Sequence, residues 1–129
     1  FAKKSITKIF EEDGELYFRD LEERVTISFL DNKKTIVSLG GGALDNKNIR
    51  NSIKKYSYNI YLKVNVNILT QRLKNSKNRP LIQNINLKKE LINLINKREK
   101  FYKQADLIIE NEKNIIEKTK NLIKIVSNE

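Results

Sequence analysis

Of the 26 basic residues in this chain, only six are arginine: Arg19, Arg24, Arg50, Arg72, Arg79 and Arg98. Where lysine is the default cation, an arginine suggests a need for the planar guanidinium, which grips a carboxylate or phosphate through two parallel bonds. Three of the four glycines stand side by side, Gly40, Gly41 and Gly42, at the end of the apolar run "TIVSL". Bare backbone at that point lets a ligand touch main-chain N–H groups directly. Taken singly, each arginine reads as a surface ion pair and the triplet as a tight turn after a strand. Together they point to a small anionic ligand lying against backbone.

Composition removes other chemistries. The chain has no cysteine and no histidine, which excludes thiol nucleophiles, disulfides, ordinary zinc sites and histidine acid–base catalysis. No apolar run reaches the roughly 18 residues of a membrane span, and no leader peptide is visible, so a cytoplasmic location is expected. The net charge of +10 favours anionic partners. Its lysines are spread along the whole chain, as on a solvated surface, rather than gathered in a nucleic-acid stripe.

The elements that must hold these residues follow from periodicity. In "SITKIF", Ile6, Ile9 and Phe10 share a helical face. Asp13–Gly14 reads as a turn into a second helix, on which Phe18, Leu21, Val25 and Phe29 form the apolar stripe and Glu22, Glu23 and Arg24 the wet side. Thr35–Leu39 is β-branched and predicts a short buried strand ending at the glycines. A helix starts near Asp45 or Asn46, a second strand covers Asn59–Val64, and Ile68, Leu69 and Leu73 mark another helix. The polar segment 74–86 holds the only proline and predicts a mobile loop within a single domain, 1–129. A long amphipathic helix follows, with Leu87, Leu91, Ile92, Ile95 and Phe101 inward. "DLIIEN" is a third strand, and a closing helix ends the chain. Short apolar strands alternating with helices predict an α/β fold with a parallel sheet covered on both faces. Ligands in such folds bind beyond the carboxyl ends of the strands.

The segments "SITKIFEEDGELYFRDLEE", "LGGGA", "RLKNSKNRPL" and "REKFYKQAD" together resemble shikimate kinases in order and spacing, over essentially the whole chain. The resemblance implies a three-layer parallel-sheet P-loop kinase fold, of the nucleoside-monophosphate-kinase type. It implies ATP-dependent phosphorylation of the shikimate 3-hydroxyl, in chorismate and aromatic amino-acid biosynthesis, with ATP and Mg2+ as cofactors and no nucleic-acid or membrane partner, by a monomer. By the same resemblance Arg19 and Arg98 hold the substrate carboxylate. Gly40, Gly41 and Gly42 meet its ring, Phe10 and Phe18 line the pocket, and Glu22 orients Arg19. Arg79 is the lid arginine over the ATP phosphates, and Arg72 lies beside the adenine.

The sequence departs from that family in one large respect. No G-x-x-x-x-G-K-[ST] loop occurs, nor the Asp-x-Asp pair expected to touch shikimate and the magnesium shell, so no metal ligand is assigned. A unit of roughly 30 residues, strand, loop and helix, is expected before Phe1. Its strand belongs in the middle of the sheet, which predicts that Thr35–Leu39 and Asn59–Val64 do not pair directly. Four readings remain open at this level. The chain is the carboxyl-terminal part of a shikimate kinase, or a shikimate-kinase-like binding protein without a phosphate loop. It is another small-molecule kinase such as a gluconate kinase, or a small basic nucleic-acid binder. Against the last, Phe10, Phe18, Phe29 and Phe101 fall on apolar stripes rather than among exposed cations.

Overall fold

The structure, a computed structural model, describes residues 3–31, 35–74, 86–110 and 115–127. Ser5 opens helix α1 (Ile6–Glu12), its hydroxyl accepting from the Lys8 amide at 3.3 Å. Asp13 closes it, and α2 (Gly14–Leu30) begins at once, with Gly14 at φ +81°. That angle lies in the left-handed region where a Cβ is strained. Space is not the reason for glycine here, since nothing lies within 4 Å of where a Cβ would sit. The Phe10 and Phe18 rings pack 4.7 Å apart and join α1 to α2.

The predicted helix faces are right in the middle and wrong at the edges. Ile9 is buried, whereas Ile6 is 58% exposed. On α2 the residue that enters the core is Leu30, and Phe29 is 43% exposed. Glu22 does not belong to the wet side: its side chain is 13% exposed. Each residue turns the helix by about 100°, so a face inferred from spacing alone can be off by one position.

Thr35–Leu39 corrects the expectation of a buried strand. It has no regular secondary structure and no place in the sheet, and Ile36 is fully exposed. Burial still alternates, with Val37 and Leu39 leaning onto the core, so the segment keeps the period of a strand. What it lacks is a ladder partner among the described residues. As expected, it does not pair with the next strand.

A 3₁₀ turn, Ala43–Asp45, follows the glycines, and α3 (Lys47–Tyr56) follows the turn. Asn46 caps α3, its side-chain oxygen accepting from the Asn48 and Ile49 amides at 2.8 and 3.1 Å. Glu23 of α2 accepts from the side-chain amides of Asn46 and Asn48 and so docks α2 on that cap. Beneath lies the main core, Leu30, Ala43, Leu44, Ile49 and Ile53. Ile49, 1% exposed, contributes about 1.5–3 kcal/mol by burial.

Strand β1 (Ile60–Lys63) leads through α4 (Val66–Lys74) to α5 (Leu87–Tyr102), then to β2 (Leu107–Glu110) and α6 (Ile115–Ser127). The two strands pair in parallel, Ile60 with Leu107 through Lys63 with Glu110, which is the expected α/β arrangement. On α5, Leu91 is buried, while Ile92, expected inward, is 39% exposed. Among the described residues no helix is long and apolar enough to cross a membrane.

Candidate functional site

Arg19 sits one turn after Glu15 and just under one turn before Glu22 on α2. Its Nη1 donates to Glu22 at 2.8 Å, while Nη2 and Nε donate to Glu15 at 3.2 and 3.3 Å. The guanidinium carbon lies 5.3 Å from the Phe18 ring centroid. Burial works against its charge, but the bonds from Glu22 and Glu15 more than offset this, and its pKa is raised.

The glycine triplet lies against this pair. A Cβ on Gly42 would stand 2.7 Å from Arg19 Nη1 and 3.1 Å from the guanidinium carbon. One on Gly40 would stand 2.5 Å from a Glu22 carboxylate oxygen. Neither residue has a positive φ, and a Cβ at either would meet the flexible tips of Arg19 and Glu22 rather than backbone, so those tips would have to shift. Gly41 is different: its Cβ position has nothing within 4 Å. The two outer glycines make room for the chain's own ion pair, and the middle one faces open space.

From the other side comes α5. Arg98, with its side chain 14% exposed, donates through Nε and Nη2 to one oxygen of Asp45 at 3.1 and 2.9 Å. One turn later the Tyr102 hydroxyl donates to the Gly41 carbonyl at 2.9 Å, and its ring stacks on Tyr61 with centroids 5.0 Å apart. Burial pushes the Tyr102 phenol up, with Arg98 opposing and Asp45 reinforcing. Gly41, Tyr61, Leu62, Leu91, Arg98 and Tyr102 are among the residues lining a cavity of about 220 Å³. Among the described residues on this wall, Arg98 is the one that is charged, the others being apolar, glycine or tyrosine.

The structure thus forms two clusters on one backbone bend: Phe10, Phe18, Arg19 and Glu22 lie at Gly40 and Gly42, while Arg98 lines the cavity at Gly41, to which none of those four side chains contributes. Arg72 falls in the last turn of α4, exposed, and is not among the residues lining the cavity. Arg79 and nearly all of the 74–86 loop lie outside the described residues. Sequence reasoning passed over Glu15, Asp45 and the Tyr102 contact. The four-residue spacing of Glu15 and Arg19 was a usable signal. Nothing in the sequence links Asp45 to Arg98.

The family model for shikimate kinase matches residues 1–127. The chain is 37% identical over 112 residues to the shikimate kinase of Bartonella henselae, covering 87% of this chain and 53% of that protein. It is 38% identical over 116 residues to that of Chlorobaculum parvum, covering 84% of this chain and 62% of the relative. It thus spans between half and two thirds of these curated relatives. Among solved structures, shikimate kinase from Acinetobacter baumannii in complex with shikimate superposes with a TM-score of 0.88 at 32% identity, covering 98% of this chain and 73% of that one. The Aquifex aeolicus shikimate kinase gives 0.77 at 31% identity, with 95% and 72% covered.

Proposed function

The chain belongs to the shikimate kinase family, and from that premise we propose that it is the substrate-holding part of an enzyme that transfers the γ-phosphoryl group of ATP to the 3-hydroxyl of shikimate. One observation carries the proposal. Arg19 and Arg98 reach the same glycine bend from two different helices, each already oriented by a carboxylate of the chain. Two preset planar cations suit one carboxylate on a small rigid ring. The open face at Gly41 suits that ring, because no side chain stands between it and the main chain.

Phosphoryl transfer asks a protein mainly for positioning and for charge to meet the moving phosphoryl group. Arg19 and Arg98 supply the first, fixing the ring by its carboxylate so that a hydroxyl on it is presented in one orientation. Arg79, from its place in the sequence, is assigned to the phosphate end of ATP, and Arg72 to the adenine end. Mg2+ would accompany the ATP phosphates and screen their charge. Among the described residues no three acidic side chains gather where a metal could be held, so its ligands are not assigned to this part of the protein. A monomer working in the cytoplasm, where ATP is available, completes the reading.

The test is turnover by the full-length protein. With ATP and shikimate it should release ADP and form shikimate 3-phosphate, identified by mass and by the position of the phosphate. A shikimate analogue with its carboxylate amidated should be a poor substrate. Phosphorylation of gluconate in place of shikimate would overturn the assignment.

A further inference from the structure

We infer that Asp45 is a positioning residue for substrate binding: it fixes the guanidinium of Arg98 so that one edge is taken by the protein and the other is left to the incoming carboxylate. The inference rests on the function proposed above and deepens it, by giving the carboxylate that orients Arg98 a measurable part in substrate binding.

Asp45 is the last residue of the 3₁₀ turn behind the glycines, and its backbone is pinned at both groups. Its N–H donates to the Gly42 carbonyl at 3.0 Å. Its carbonyl accepts from Arg50 Nη1 at 3.0 Å, and the same Nη1 donates to the Leu44 carbonyl at 2.7 Å. Arg50 in turn lies over the Phe101 ring of α5, 4.1 Å from its centroid. The turn that carries Asp45 is thus tied to the helix that carries Arg98 by a contact independent of the ion pair.

The ion pair itself is asymmetric. A single oxygen, Oδ2, accepts from both Nε and Nη2 of Arg98. Guanidinium carries five N–H bonds, so both protons of Nη1 and the second on Nη2 are not used by Asp45. One proton of Nη1 and the second proton of Nη2 form the end-on edge that suits a carboxylate bidentately, and this guanidinium also donates to the Tyr102 hydroxyl. A solvated surface pair would do little for either residue. The Arg98 side chain is 14% exposed and lines a cavity whose other described residues are uncharged, where its orientation matters and an unordered side chain would have to be ordered by the ligand.

The experiment uses the full-length enzyme and steady-state kinetics on Asp45→Ala and Asp45→Asn, each also made in an Arg98→Lys background. Asparagine keeps the size and an acceptor oxygen, so it serves if alanine disturbs the turn. Asp45→Ala should raise the KM for shikimate about 10-fold and Asp45→Asn about 3-fold, with kcat and the KM for ATP within about 2-fold of wild type. In the Arg98→Lys background, Asp45→Ala should change the shikimate KM by less than about 2-fold, because the residue it acts through is already altered. A purely structural role would lower kcat and melting temperature alike in both backgrounds, and that result overturns the inference. So does an unchanged shikimate KM in Asp45→Ala when Arg98→Lys raises it. If the wild-type enzyme does not phosphorylate shikimate at all, the proposed function fails, and this role fails with it.

Discussion

Arg19 takes its carboxylates from its own helix, Glu15 before it and Glu22 after it. Arg98 takes its carboxylate from Asp45, 53 residues earlier in the chain. The first arrangement needs only that α2 form, since residues three and four apart are neighbours on any helix. The second exists only once α5 has docked on the turn behind the glycines. The difference matters for rigidity. A helix-borne pair moves with its helix, whereas a pair between elements reports, and helps fix, how those elements sit. The triplet serves both, giving space to Arg19 and Glu22 at its ends and a carbonyl to Tyr102 at its centre.

The sharpest way to break the comparison is to replace each arginine by lysine. Charge is kept and the two-pronged fit is lost, so Arg19→Lys and Arg98→Lys should each weaken shikimate binding by roughly 10- to 100-fold, with ATP binding little changed. Isothermal titration of both variants measures this. If one variant binds shikimate normally, its arginine is not part of the clamp and the two regions are not equivalent.

The next largest effect separates the glycines. Gly42→Ala pushes the tip of Arg19 aside and loosens its bond to Glu22, which should lower stability by about 0.5 kcal/mol and weaken shikimate binding. Gly41→Ala meets no atom of the described residues within 4 Å and should leave denaturant stability unchanged while reducing shikimate affinity. Equal loss of stability in both would show that the triplet serves the turn rather than the ion pair.

A smaller effect compares the two acids on Arg19. The Glu22 side chain is 13% exposed and that of Glu15 is 54% exposed. Glu22→Gln should therefore raise the shikimate KM several-fold, and Glu15→Gln by less than about 2-fold. The reverse order would make the exposed partner the one that orients the arginine.

The smallest effect concerns Glu23, the neighbour of Glu22, which serves the α3 cap instead. The bonds from Asn48 and then Asn46 hold its carboxyl below the ordinary value of 4.5. A depressed folded pKa gives stability that is present above the unfolded value and is lost as pH falls through the folded one. The difference in melting temperature between wild type and Glu23→Gln should thus be small near neutrality and shrink further as the pH falls below 4.5. A difference that grows in acid would contradict this account.

Local chemistry in the sequence was enough for the helix break at Asp13–Gly14 and for a helix start at Asp45 or Asn46. Each depends on residues within about one helical turn, where backbone geometry alone sets who meets whom. Other features needed the folded chain. Thr35–Leu39 has the composition and period of a strand, but a strand is a relation between two segments, and pairing cannot be read from one of them. The choice of Leu30 over Phe29 for the core was made by packing against Ile49 and Ile53 of α3. Gly40 and Gly42 announce that something comes close, without saying that it is Glu22 and Arg19. The contact between Asp45 and Arg98 leaves no mark in the sequence at all. Spacing fixes direction along an element, but which elements face each other is decided by packing of the whole core.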